Sequence, residues 1–341
     1  MEKETHYNRI VGGTEEDQAE VAERLQNVFD TKSESLAQYE LEKSPEDIEL
    51  IGITQRIVDT IVTQYGGDPK ELPLDHMYIL KLDSVLKITE GRFAGGIHQP
   101  IGLKIGVEKE ESRILLASTI AHELFHLKSY KSVRVLEDSY QVYRSGLQMT
   151  DVKSSSELTG KEKVYFSHLE EAIVAECTKK FLDELGEESF FAEEYTPLSQ
   201  LKDWLVKYYQ RINVPKHIIK EFEDGLKYIP NPQFYVDKVL NFSEDENERE
   251  DYAVGLFNSL SAQGLVIGLE RNKERNKMYE LLDKLVINSQ GKFTDREEIF
   301  DIFARANFSG NYLPLARVVE DILGKGSFRE IAEEFGLNIN K

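Results

Sequence analysis

The sequence predicts an α+β protein, with a mixed helix-and-strand part followed by an all-helical C-terminal part. Three patterns carry that prediction. Apolar residues recur at helical spacing over 45–62 and 112–130, they alternate at period two over 101–107, and from about 197 onward only helical spacing is found. At 341 residues, 40% of them hydrophobic, the chain has apolar material for one large core or two ordinary ones.

Taken in order, residues 1–35 are polar and acidic, but Val21, Leu25, Val28 and Phe29 fall at helical spacing and predict one amphipathic helix. The next helix is better marked. Ser44 can cap it, Pro45 suits its first position, and Asp47 sits three after the cap. Ile48, Ile51, Ile57, Ile61 and Val62 give its apolar stripe, and Gly66-Gly67 ends it. Residues 77–107 read as sheet. In particular, Ile101, Leu103, Ile105 and Val107 alternate with Gly102, Lys104 and Gly106, the signature of a strand with one buried face. Gly95-Gly96 would let another backbone approach or supply a bulge.

Residues 112–130 return to helical spacing, with Leu116, Ile120, Leu124 and Leu127 on one stripe. Residues 141–149 and 163–169 read as two strands of a hairpin around a polar loop, and a second helix runs from about Leu169 to Leu185. Thr294-x-x-Glu297 and Ser327-x-x-Glu330 read as capping boxes in the helical C-terminal part. The expected division is a polar helix or arm over 1–35, a mixed part over 36–235 and a helical part over 236–341. The polar stretch 241–251 is the best candidate for an exposed boundary.

The net charge of −20 would repel a polyphosphate, so nucleic acid is not an expected partner. No apolar run of about 18 residues is found, so no membrane span is expected, and no secretory signal is read at the N-terminus. Cys177 is the only cysteine and cannot form an intramolecular disulfide. A cytoplasmic location is the expectation.

Residues 119–130, TIAHELFHLKSY, contain His122-Glu-Leu-Phe-His126, an H-E-x-x-H pattern. Histidines four apart lie on one helix face, about 5–6 Å apart at Cβ, so both imidazoles can reach one tetrahedral Zn²⁺. Glu123 can then act as general base toward a zinc-bound water and pass its proton to a leaving amine. The competing reading is two surface histidines beside a solvated glutamate. With seven histidines, chance alone gives such a pattern on the order of a percent of the time.

A catalytic zinc needs a third protein ligand. Position 132 is Ser132, which removes the pattern with a third histidine six after the second. The candidates lie in SHLEEAIVAECTKKF, 167–181. Ser167-x-x-Glu170 is itself a capping box, which would occupy Glu170. Glu171 shares its helix stripe with the small residues Ala175 and Thr178, so phase and capping favour Glu171 over Glu170.

HELFH followed 45 residues later by EEAIVAE resembles the gluzincin zinc metallopeptidases, the minigluzincins most of all. That resemblance spans roughly 95–185. It implies a zincin-like core over 36–235: a twisted sheet, the H-E-x-x-H helix and a glutamate helix. It implies one Zn²⁺ held by His122, His126 and Glu171, with Glu123 as catalytic base. It also implies an edge strand that binds an extended peptide, here Gly102, Leu103, Lys104 and Ile105. Thermolysin-like members carry an acidic residue four after the ligand glutamate. Here that position is Ala175, with Glu176 one further on, so the group that orients a histidine is unassigned. Tyr143, Arg144, Tyr165 and His168 are candidates for the oxyanion stabiliser, and His98 could face the cleft. Cys177 falls on an apolar stripe with Ile173 and Phe181 and reads as core.

Two functions follow as expectations. The first is a zinc metallopeptidase acting on a peptide or protein. The second is an inactive or regulatory peptide-binding module on the same scaffold, against which the intact Glu123 argues. The helical C-terminal part or residues 1–35 could also contact the cleft.

Overall fold

The computed structural model describes residues 7–90, 95–110, 112–136, 139–150, 162–213, 232–262 and 272–339. Their architecture is mixed α and β, as expected. By contact the chain divides into two units, one of Met1–Glu108, Thr119–Thr178 and Glu274–Lys341, the other of Lys109–Ser118 and Lys179–Lys273. The expected boundaries at 35/36 and 235/236 do not coincide with this division.

In the first unit, α1 (Glu15–Asp30) opens on a capping box between Thr14 and Asp17 and buries Val21, Leu25 and Phe29. Val28, expected on the same face, is exposed. A short α2 (Glu34–Ala37) follows. Helix α3 (Pro45–Gln64) starts on the expected Ser44–Asp47 box, with Pro45 at its first position. It buries Ile51, Ile57, Ile61 and Val62, whereas Ile48 stays exposed.

A three-stranded sheet holds β2 (Met77–Leu80), β3 (Gly96–Gln99) and β4 (Lys104–Glu108) in the order β2-β4-β3. Strand β4 runs parallel to β2 and antiparallel to β3. This overturns the expected strand at 101–107 in two ways. Gly102 (φ +86°) and Leu103 (φ +50°) form a turn, so the strand starts at Lys104. Strand β4 is also the middle strand, buried along its whole length, and has no free edge. The Lys104 ammonium donates to the carbonyls of Val28 at 2.7 Å and Phe29 at 3.1 Å, and Ile105 is fully buried. Gly102, Leu103, Lys104 and Ile105 therefore do not form a peptide-receiving edge. Strand β3 has a partner on one side only among the described residues.

A second, six-stranded sheet runs β1-β5-β6-β7-β8-β9. Its strands are β1 (Arg9–Val11), β5 (Lys131–Val135), β6 (Tyr140–Ser145), β7 (Gln148–Thr150), β8 (Glu162–Tyr165) and β9 (Leu337–Ile339). The stretch read as one strand over 141–149 is two, folded at Gly146, where φ is +57° and a Cβ would meet Asn307 Oδ1 at 2.1 Å. The expected pairing across the polar loop is present: Met149 lies opposite Tyr165 and Thr150 opposite Val164. Strand β8 ends at Tyr165, short of 169, and the following helix begins at Ser167.

A short α4 (Ser84–Ile88) follows β2. Helix α5 (Arg113–Lys128) carries the H-E-x-x-H residues, and α6 (Ser167–Leu185) carries Glu170 and Glu171. The expected stripe of α5 is buried, but so are Leu115, Ala121 and Phe125, as in a helix apolar on every side. Cys177, Ile173 and Phe181 are buried in α6, the core role expected for Cys177.

The second unit includes α7 (Ala192–Arg211), α8 (Pro232–Phe242) and α9 (Glu246–Ala262). The stretch 241–251 ends α8, turns, and starts α9, so it is a turn between helices inside one unit. In α7, Glu194 accepts from the backbone N–H of Arg113 at 2.9 Å and the Ser112 hydroxyl at 2.6 Å, a carboxylate cap on the first turn of α5.

Helices α10 (Asn272–Asn288), α11 (Arg296–Ser309), α12 (Leu313–Leu323) and α13 (Ser327–Glu334) belong mainly to the first unit. Asp295, one residue after the expected Thr294, caps α11. Ser327 is the first residue of α13; its hydroxyl donates to Gly324 and Val319 carbonyls instead of forming a box with Glu330. The described residues beyond 197 also include a strand, β9, paired with β8. Buried Asn307 of α11 donates to Ser129 at 3.0 Å and accepts from the Leu147 N–H at 2.9 Å. Among the described residues no helix is long and apolar enough to cross a membrane.

Candidate metal centre

On α5 the four-residue spacing sets His122 and His126 side by side, with Nε2 atoms 3.2 Å apart. From α6, Glu171 Oε2 lies 3.7 Å from His122 Nε2 and 3.6 Å from His126 Nε2. These three could hold a metal ion. Ligand atoms about 2.0–2.1 Å from a tetrahedral centre are separated from one another by roughly 3.3–3.4 Å. The triangle found here, with edges of 3.2, 3.6 and 3.7 Å, is close to that size. Glu171, favoured on phase and capping, is the glutamate whose carboxylate lies near both Nε2 atoms.

Glu170 has a different occupation from the expected cap. Its Oε1 lies 3.0 Å from His126 Nδ1. An ionised carboxylate only accepts, so Nδ1 carries a proton, and Nε2 is the atom left to face the triangle. Glu170 thus lies where an orienting acid would be needed, the place that the sequence left unassigned. It sits one residue before the candidate ligand Glu171, not four or five after it. His122 is held more loosely. Thr178 donates its hydroxyl proton to the Val174 carbonyl at 2.8 Å, which leaves its oxygen to accept from His122 Nδ1 at a long 3.5 Å.

Buried Lys131 donates to the His126 carbonyl at 2.5 Å and to Ser145 Oγ at 3.0 Å. Burial pushes its ammonium pKa down to about 8, partly opposed by Glu170. Burial disfavours charge on His126, but Glu170 and Glu171 hold its pKa well above the usual histidine value. Burial alone would raise Glu171, yet the His126 and His122 imidazoles hold it far below the usual carboxylate range. The two carboxylates thus favour positive charge on the neighbouring imidazole.

Glu123 points toward β3. Its Oε2 lies 2.7 Å from His98 Nδ1, and the His98 ring stacks on the His126 ring with centroids 4.6 Å apart. His98 therefore faces the site, as the sequence allowed. Burial alone would raise the Glu123 pKa, but the His98 bond and the neighbouring imidazoles bring it below the usual value. Gly96 sits two residues before His98. A Cβ there would meet Glu123 Cγ at 2.9 Å and Thr119 Cγ2 at 3.0 Å. The close approach expected at Gly95-Gly96 is made at Gly96 by the Glu123 and Thr119 side chains, not by a backbone. Sequence reasoning missed Lys131 and the His98–Glu123 bond, since both join α5 to strands, which its helical spacing does not reach.

The four oxyanion candidates have other contacts. Arg144 is buried, donates to the carbonyls of Gly146 and Gly310, and lies between the Tyr130 and Tyr312 rings. Tyr143 lies beneath Arg134, Tyr165 sits in the β7–β8 ladder, and His168 lies 4.0 Å from Glu274. Glu176 accepts from Arg275 at 3.2 Å and from the Tyr279 hydroxyl, tying α10 to α6 five residues beyond Glu171.

No protein-family model matches the chain, and no solved structure matches it. A Pro-Pol polyprotein of feline foamy virus is 25% identical over 141 residues, covering 37% of this chain and 12% of that protein. The chain spans only that small share of the polyprotein, and the match assigns it no family.

Proposed function

We propose that this chain is a zinc-dependent metallopeptidase of gluzincin type. The carrying observation is the His122–His126–Glu171 triangle, with Glu123 beside it on the same helix. Two imidazoles and one carboxylate suit zinc far better than the all-oxygen shells of calcium or magnesium. A zinc ion held there supplies a water of pKa about 7 and polarises a carbonyl.

The chain's own residues do the rest. Glu170 and Thr178 keep His126 and His122 in the tautomer with Nε2 free. Ionised Glu123 accepts the proton of the attacking water and delivers it to the leaving amine. The peptide would add as a strand to β3, which carries His98 and has a partner on one side only among the described residues, rather than to β4.

Glu123→Gln should keep the metal and lower cleavage of a peptide library by about 10²–10⁴-fold, as expected for loss of a general base. Cleavage equal to wild type would sink the mechanism. Full metal content with no cleavage by either protein would favour the peptide-binding module instead.

A further inference from the structure

His98 joins two features that a peptidase needs to align. Its ring stacks on metal-binding His126 with an interplanar angle of 22°, and its Nδ1 lies 2.7 Å from Glu123 Oε2. A carboxylate cannot donate, so the proton between them sits on Nδ1. His98 is also fixed from behind, since it pairs with Ile105 of fully buried β4. Two residues earlier on the same strand face, Gly96 leaves the space that the Glu123 side chain fills. This stretch of β3 is shaped to Glu123 twice, by a missing side chain and by a donor.

We infer that His98 is the positioning residue for the base: it holds one Glu123 oxygen so that the other is presented to the attacking water. Because His98 lies on the strand proposed to receive the peptide, seating of the substrate and aim of the base share one element. This inference rests on the metallopeptidase reading. It assigns His98 neither metal ligation nor proton transfer.

Two substitutions separate the functions of the ring. His98→Phe keeps a ring to stack on His126 but removes the donor. His98→Asn keeps an N–H near the Nδ1 position but removes the ring. Zinc-loaded proteins would be compared on quenched peptides chosen because wild type cleaves them. His98→Phe should retain the metal, lower kcat by about 10- to 100-fold and leave KM within about twofold, the pattern of a misplaced base. His98→Asn should recover most of that kcat. A second readout needs no turnover. Histidine ¹⁵N NMR of the zinc-loaded protein should show a slowly exchanging Nδ1–H that is absent in His98→Phe and lost to exchange in Glu123→Ala.

Equal kcat for wild type and His98→Phe would overturn the inference while leaving the peptidase reading intact. So would an equal loss of kcat in both His98 variants, or an Nδ1–H unaffected by Glu123→Ala. A wild-type chain that binds zinc and cleaves nothing overturns the peptidase reading, and the inference with it.

Discussion

Helices α5 and α6 supply the same triangle by different means. On α5 one helical repeat does the placing: His122 and His126 share a face and Glu123 lies beside it. On α6 two adjacent glutamates point about 100° apart around the axis and take separate tasks. Glu171 reaches the Nε2 atoms, and Glu170 reaches around to His126 Nδ1. The periodicity of one helix fixes the first arrangement. The second exists only once the two helices face each other.

The histidines repeat the contrast. His126 is buried and clasped by Glu170, while His122 is partly exposed and has a long contact to Thr178. Four substitutions probe these differences, beginning with the largest expected effect. Glu171→Ala should abolish stoichiometric metal binding, measured by elemental analysis after gel filtration, because two imidazoles remain where three ligands are needed.

Lys131→Met comes next and is read as stability against pH in metal-free protein. The folded pKa of Lys131, about 8, lies below the ordinary 10.5, so the unfolded chain holds the extra proton between those values. Stability from this group therefore rises as pH increases through that window. The burial penalty is fully present below about pH 8. Over the window wild type should gain on the order of 3 kcal/mol relative to Lys131→Met in denaturant titrations. Parallel curves for the two proteins would contradict the buried, depressed ammonium.

Glu170→Ala should weaken zinc affinity by about 10- to 100-fold without abolishing the site, as competition with a chromophoric chelator would show. If it removed metal as completely as Glu171→Ala, the division of labour would be wrong. Thr178→Val should have the smallest effect, less than about tenfold in the same titration, because its contact to His122 is long.

Much of the triangle was legible in sequence because it depends on spacing. His122, Glu123 and His126 follow from one motif, and helix phase favoured Glu171. The bond from His126 to Glu170 was obscured by Ser167, whose spacing mimics a capping box. The error at 101–107 has a physical cause. Leu103 is buried in a turn and Lys104 is buried where its ammonium finds carbonyl acceptors, so neither follows the in-and-out rule of a half-exposed strand. Strand β4 is covered on both faces although its sequence alternates, because Lys104 and Gly106 fill the second buried face. Short β1 and β9 leave little periodic signal, since each is defined by its neighbour in the sheet.

The most direct test of the whole account is the metal content of three proteins loaded with zinc and then exhaustively gel-filtered: wild type, Glu123→Gln and Glu171→Ala. The account predicts about one zinc per chain in the first two and none in the third. A wild-type chain that holds no zinc, or a Glu171→Ala variant that holds it as tightly as wild type, would contradict the three-ligand site.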